Sequence, residues 1–167
     1  RHVWELIEPE LAFNYDGEIL ALDLPGFGES ALSESQSEHY DLHFMAEQLA
    51  SKIEDNAVIV GWSLGGLIAL YLAKHFPHKV SRVVLVASTP LFAQTKDWPG
   101  IKPQVLADFN QQLIENSKAT IERFLAIQAM GSATARQDSK ALKKLLSQQP
   151  NASEWVLKQG LDILENQ

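Results

Sequence analysis

Val58-Ile59-Val60-Gly61-Trp62-Ser63-Leu64-Gly65-Gly66 sets a serine between a short apolar, β-branched run and the start of a helical pattern formed by Leu64, Leu67, Ile68, Tyr71 and Leu72. The order reads as buried strand, sharp turn and helix, with Gly61 and Gly65 at the two positions where a side chain is expected to obstruct the turn. This is the pattern of a nucleophile elbow. Ser63 Oγ is expected to project above the sheet, and the backbone N–H of Leu64 to point where an oxyanion forms, aided by the partial positive charge of the helix start. The motif alone also fits an ordinary turn feeding a helix; the strand before it and the amphipathic helix after it give it weight. Pro77 should end that helix near Phe76, because it removes a donor and clashes with the preceding turn.

Two further apolar runs, Glu18–Leu22 and Val83–Ala87, join Ala57–Val60 as expected strands. None alternates with polar residues, which suits strands covered on both faces of a parallel sheet. A helical pattern over Leu42–Ile53, with Met45, Leu49 and Ile53 four residues apart, lies between the first two. Strands alternating with helices imply an α/β fold with right-handed crossovers. After Pro103 the periodicity is helical only. Its stripes are Val105, Phe109 and Leu113; Ile121, Phe124 and Leu125; Leu142, Leu145 and Leu146; and Trp155, Leu161 and Leu164, the last helix being capped by Asn151 or Ser153. The expected division is residues 1–92, a partial α/β core carrying the elbow, and residues 93–167, an all-helical cap.

Composition narrows the chemistry. In 167 residues there are 14 Lys plus Arg against 21 Asp plus Glu, a net charge of −7, and no cysteine. A disulfide framework, a thiolate zinc site and a cysteine nucleophile are excluded, and of the five histidines His75 with His78 is the pair read as having a recognisable ligand spacing. Neither a metal nor an organic cofactor is expected. The negative balance argues against nucleic acid, and no apolar run reaches the roughly 18 residues of a membrane span. Glu5, Glu8 and Glu10 interrupt any signal-peptide pattern, so a cytoplasmic setting is expected. Gly26 and Gly28 lack the third glycine of a dinucleotide fingerprint, and no Lys and Ser/Thr pair completes a P-loop. Charge is uneven: residues 1–88 hold 5 basic and 13 acidic side chains, residues 89–167 hold 9 and 8. Between Lys118 and Lys144 six basic residues face only Glu122 and Asp138.

Asp23-Leu24-Pro25-Gly26-Phe27-Gly28-Glu29-Ser30, a turn-dense loop after the first expected strand, together with the elbow resembles the α/β-hydrolase superfamily. Asp97-Trp98-Pro99-Gly100-Ile101-Lys102-Pro103, Glu122-Arg123-Phe124-Leu125-Ala126, Met130-Gly131, Ala135-Arg136-Gln137-Asp138 and Ala141-Leu142-Lys143-Lys144 resemble, more specifically, the biotin-pathway carboxylesterases that demethylate pimeloyl-acyl-carrier-protein methyl ester. The resemblance runs from about Val3 to Leu164. It implies a serine esterase in which Ser63 attacks the ester carbonyl, an acyl-enzyme forms with loss of methanol, and water releases the acid. Leu64 would supply one oxyanion donor. Trp62 would line the pocket or pack as core beneath the cap, and Phe124 would face the acyl chain or serve as core; both alternatives stay open. Arg123, Arg136 and Lys140 would meet an acidic acyl carrier protein, the implied partner of a protein that is monomeric at full length. Lys140 stands where the family has arginine, and Ala119 where it has another, so two bidentate forks are lost.

The family order is Ser, then Asp or Glu, then His. After Ser63 the only histidines are His75 and His78, and His75 lies roughly 18 Å away along the helix at 1.5 Å per residue. The catalytic Asp and His are therefore expected to be absent. The first residue is Arg1, and the family's other oxyanion loop and the strand before it would precede it. The expectation is an internal section of a longer esterase, inactive alone. Two alternatives remain: a generic capped esterase or thioesterase, and a non-catalytic module that binds an acyl carrier protein.

Overall fold

β1 (Ala57–Trp62) and β2 (Val80–Val86) lie side by side as a parallel pair, in register from Val58 opposite Arg82 to Trp62 opposite Val86. They come from a computed structural model that describes residues 1–166. The connection between them is α3 (Leu64–His75), which ends as Pro77 dictates: the Phe76 amide turns back to the Leu72 carbonyl, and Pro77–Lys79 form a single 3-10 turn into β2. Before β1 runs α2 (Leu42–Ala50), started by the Asp41 carboxylate, which accepts from the Phe44 amide at 2.7 Å. Met45, Ala46 and Leu49 of α2 meet Leu67, Ile68 and Leu72 of α3, and this apolar contact is the centre of the core.

One expectation about the sheet is overturned. Glu18–Leu22 forms no strand; the chain there is irregular, with Ile19 and Leu20 exposed while Leu22 and Leu24 rest on the core. A strand exists only where a neighbour completes its ladder, and among the described residues nothing pairs with this run. Within this chain the strands are covered on one face. α3 packs on the sheet, but Val58 is 48% exposed and Val84 47%, and Val60, Leu85 and Val86 are open as well.

The sequence also holds a helix that its periodicity did not indicate, α1 (Glu8–Asn14), with Pro9 in its first turn beside Glu8 and Glu10. It buries none of its residues, and Phe13 is 86% exposed. The four helices expected after Pro103 are present: α4 (Pro103–Glu115), α5 (Ser117–Gln128), α6 (Ala135–Ser147) and α7 (Glu154–Asn166). Asn116 ends α4 and caps α5, accepting from the Ala119 amide. α7 begins directly after Ser153 and packs on α4, α4 on α5, and α5 on α6. Val156 and Ile163 of α7 also belong to the core built by α2 and α3, with Trp155 and Leu164 against it. Among the described residues no helix is long and apolar enough to cross a membrane.

Candidate active site

Ser63 sits between β1 and α3 with φ 52° and ψ −121°, a left-handed backbone that costs a non-glycine residue roughly 1–3 kcal/mol. Its peptide groups are held from several sides. The Ser63 amide donates to the Val86 carbonyl at 3.0 Å, continuing the β1–β2 ladder past its last pair. Its carbonyl accepts from the Gly66 amide at 2.9 Å, the Leu67 amide at 3.3 Å and the Ser88 hydroxyl at 2.7 Å. The side chain makes no capping bond to the helix it opens. Leu64, the first residue of α3, has an N–H with no acceptor inside the helix, aimed outward at the positive end of the helix dipole.

The glycines of the elbow divide the work differently from expectation. A Cβ on Gly61 would stand 2.5 Å from the Gly65 carbonyl oxygen and from Gly66 Cα, so Gly61 is required for strand and helix to touch. Gly65 was the other position expected to be obstructed, and it is not: a Cβ there meets nothing within 4 Å. The second crowded position is Gly66, whose Cβ would collide with the Ser88 side chain. The cause is non-local, since Ser88 arrives from the end of β2.

Trp62 and Phe124 are brought together, both half-buried, with ring centroids 6.0 Å apart. Phe109 of α4 continues the series at 5.7 Å from Phe124. The sequence does not single out Phe109, which stands on the Val105 and Leu113 stripe, where a lone Phe looks like ordinary core.

The loop after Leu22 is a closed turn, in which the Gly26 amide donates to the Ser30 carbonyl at 2.7 Å and Gly26 and Gly28 take φ of 87° and 54°. Asp23 organises it, its carboxylate accepting from the Glu29 amide at 3.1 Å.

Of the basic side chains, Arg136, Lys140 and Lys143 line one open groove of about 460 Å³ between α5 and α6, with Ala126, Ala135 and Ser139. Lys143 also pairs with Glu122 at 3.5 Å. Arg123 is not part of this groove; its guanidinium donates to Gln112 at 2.8 Å and ties α5 to α4. Three of the histidines have partners of their own. His75 stacks on Tyr71 at the far end of α3, His43 is bonded to the Tyr71 hydroxyl at 3.4 Å, and buried His2 contacts Glu5.

Comparison with known proteins agrees with this geometry. The α/β hydrolase fold family model matches residues 1–163. A Klebsiella pneumoniae (strain 342) protein named pimeloyl-[acyl-carrier protein] methyl ester esterase is 45% identical over 162 residues, covering 97% of this chain and 61% of that protein. A Pseudoalteromonas atlantica protein of the same name is 43% identical over 164 residues, covering 98% of this chain and 62% of that protein. Among solved structures, an esterase from Exiguobacterium antarcticum superposes with a TM-score of 0.80 at 22% identity, over 98% of this chain and 61% of that one. A hydrolase from Oleispira antarctica gives 0.73 at 18% identity, over 98% and 60%. The chain thus spans about three fifths of the length of the curated relatives it matches. With Ser63 at a left-handed strand-to-helix junction and the family match covering nearly its whole length, the chain belongs to the α/β-hydrolase fold family.

Proposed function

We propose that this chain is the nucleophile-bearing and cap-bearing part of a serine carboxylesterase that hydrolyses the methyl ester of a pimeloyl group carried on an acyl carrier protein, a cytoplasmic step of biotin synthesis. The observation that carries the reading is Ser63, held at φ 52° with the Leu64 amide beyond it, in a chain 43–45% identical to proteins named for that reaction. Ser63 Oγ attacks the ester carbonyl and methanol leaves with the proton that the serine gives up. Water then attacks the acyl-enzyme and releases the free carboxylate. The Leu64 amide stabilises the tetrahedral oxyanion, a contribution typically of about 3 kcal/mol. Trp62 and Phe124 form the apolar wall against which the acyl chain lies.

In this reading the proton acceptor is not one of this chain's histidines. His75 is at the opposite end of α3, His43 is engaged by Tyr71, and His2 by Glu5. The triad Asp and His, and the second oxyanion donor, belong in this reading to the whole protein, which acts as a monomer. The 167-residue chain alone should leave a short-chain p-nitrophenyl ester unhydrolysed.

The carrier protein is proposed to dock on the cap, where Arg136, Lys140 and Lys143 share one groove and Arg123 stands on the neighbouring helix. Acyl carrier proteins are acidic, and a positive patch raises encounter rate and fixes orientation. In the whole protein, Arg136→Glu with Lys140→Glu should raise KM for the carrier-bound ester about tenfold at low salt, an effect that shrinks as salt screens it. Equal loss on a p-nitrophenyl ester that needs no carrier would argue against docking at this groove. Hydrolysis of small esters but not of the carrier-bound methyl ester by the unmutated whole protein would favour a generic esterase.

A further inference from the structure

We propose that α7 is the strut that sets the position of the helical cap over the nucleophile, and that Gly160 is a positioning residue for the Leu64 peptide. The inference rests on the serine-esterase reading above. Val156, Gly160 and Ile163 recur at helical spacing and are all buried, so they form the face by which α7 meets the core. At one end of that face the Val156 methyls stand 2.7 and 2.8 Å from where a Cβ on Gly26 would be, so α7 is pressed directly onto the backbone of the Asp23–Ser30 turn. One turn further along, a Cβ on Gly160 would lie 3.9 Å from Leu64 Cδ2 and 3.9 Å from Phe27 Cζ. The residue whose amide is the proposed oxyanion donor therefore packs against α7, its Cδ2 at van der Waals distance from a methyl group placed on Gly160.

Polar and aromatic contacts lock α7 in that seat. Trp155 meets Tyr40 edge-on at 5.3 Å, Tyr40 donates to the Pro25 carbonyl at 2.8 Å, and Gln159 donates to the Ser37 carbonyl at 2.9 Å. Above the seat α7 carries α4, and α4 carries α5 through the Thr120 and Arg123 bonds to Gln112 and the Phe109–Phe124 contact. A displacement of α7 thus reaches the reaction by two routes: through Leu64 to the oxyanion donor, and through Phe124 to the pocket wall at Trp62.

The test uses the whole esterase with a short-chain p-nitrophenyl ester, which needs no carrier protein, and active-site titration to count folded enzyme. Gly160→Leu drives carbons beyond Cβ into Leu64 and Phe27, and should lower kcat at least about tenfold while KM changes less than about threefold, the signature of a lost transition-state interaction. Gly160→Ala should stay within about twofold of the unmutated enzyme, since its methyl fits. Leu64→Ala in the Gly160→Leu background should restore most of kcat by reopening the space. If Gly160→Leu does not fold, Gly160→Val carries the same comparison. Unchanged kcat in the bulky variant, or a loss that Leu64→Ala does not relieve, would overturn the inference while leaving the esterase reading intact. An unmutated whole protein that hydrolyses no ester would overturn the esterase reading and this inference with it.

Discussion

Ser63→Ala in the whole protein is expected to lower kcat for ester hydrolysis by about 10⁶ without lowering thermal stability. The activity loss follows from chemistry: no neighbouring hydroxyl can replace Ser63, because Ser88 is committed to the Ser63 carbonyl at 2.7 Å. The unchanged stability follows from backbone geometry. Ser63 makes no side-chain capping bond, so removing its hydroxyl leaves every anchor of the turn in place: the amide to Val86, and the carbonyl to Gly66, Leu67 and Ser88. Ser63→Gly adds a second readout. Glycine accepts φ 52° freely, and relief of roughly 1–3 kcal/mol of strain outweighs its extra unfolded-state entropy of about 0.5–1 kcal/mol. The glycine variant should therefore be more stable than the alanine variant by about 1 kcal/mol while equally inactive. Substantial residual turnover in Ser63→Ala would remove Ser63 from the mechanism. A glycine variant no more stable than alanine would show that the elbow stores no strain.

The elbow was legible in the sequence because its determinants are local. A β-branched run, a glycine, a serine and a helical stripe fall within nineteen residues, from Val58 to Phe76, and each follows from nearest-neighbour preferences. What failed depended on partners distant in the chain. Glu18–Leu22 has the composition of a strand, yet no composition supplies the neighbouring ladder that it lacks. Gly66 rather than Gly65 is the crowded glycine because of Ser88, a contact between segments more than twenty residues apart. The cap helices were legible from period alone, but the period does not say what a face meets. Val156, Gly160 and Ile163 read only as one side of a helix until α7 is seen resting on Gly26, Phe27 and Leu64. For the basic residues, charge marked a stretch of the chain, and side-chain direction was invisible. Lys143 joins Arg136 and Lys140 in their groove, whereas Arg123 turns to Gln112.

Alanine substitutions at the three elbow glycines should separate by several kcal/mol, in an order that motif matching would not give. Gly61→Ala is the most damaging. Its Cβ would stand 2.5 Å from the Gly65 carbonyl and Gly66 Cα, both backbone atoms, so relief requires α3 to move off β1, at about 3 kcal/mol or the upper end of overpacking costs. In a chain of this size that lowers Tm by roughly 6–12 °C. Gly66→Ala meets Ser88 instead, at both its Oγ and its Cβ; rotation moves only Oγ, at the loss of its bond to the Ser63 carbonyl, and Cβ yields only if the segment after β2 shifts, for about 1–3 kcal/mol in all. Adding Ser88→Gly should recover part of that loss, because it removes the atoms in conflict. Gly65→Ala has open space at its Cβ and lies in the first turn of α3, so it should be neutral or stabilising by up to about 1 kcal/mol. Thermal unfolding of the three variants followed by circular dichroism gives the order directly. A Gly65→Ala variant less stable than Gly66→Ala would mean that the space above the first turn of α3 is filled in solution, and that the contact with Ser88 is not what fixes the second glycine.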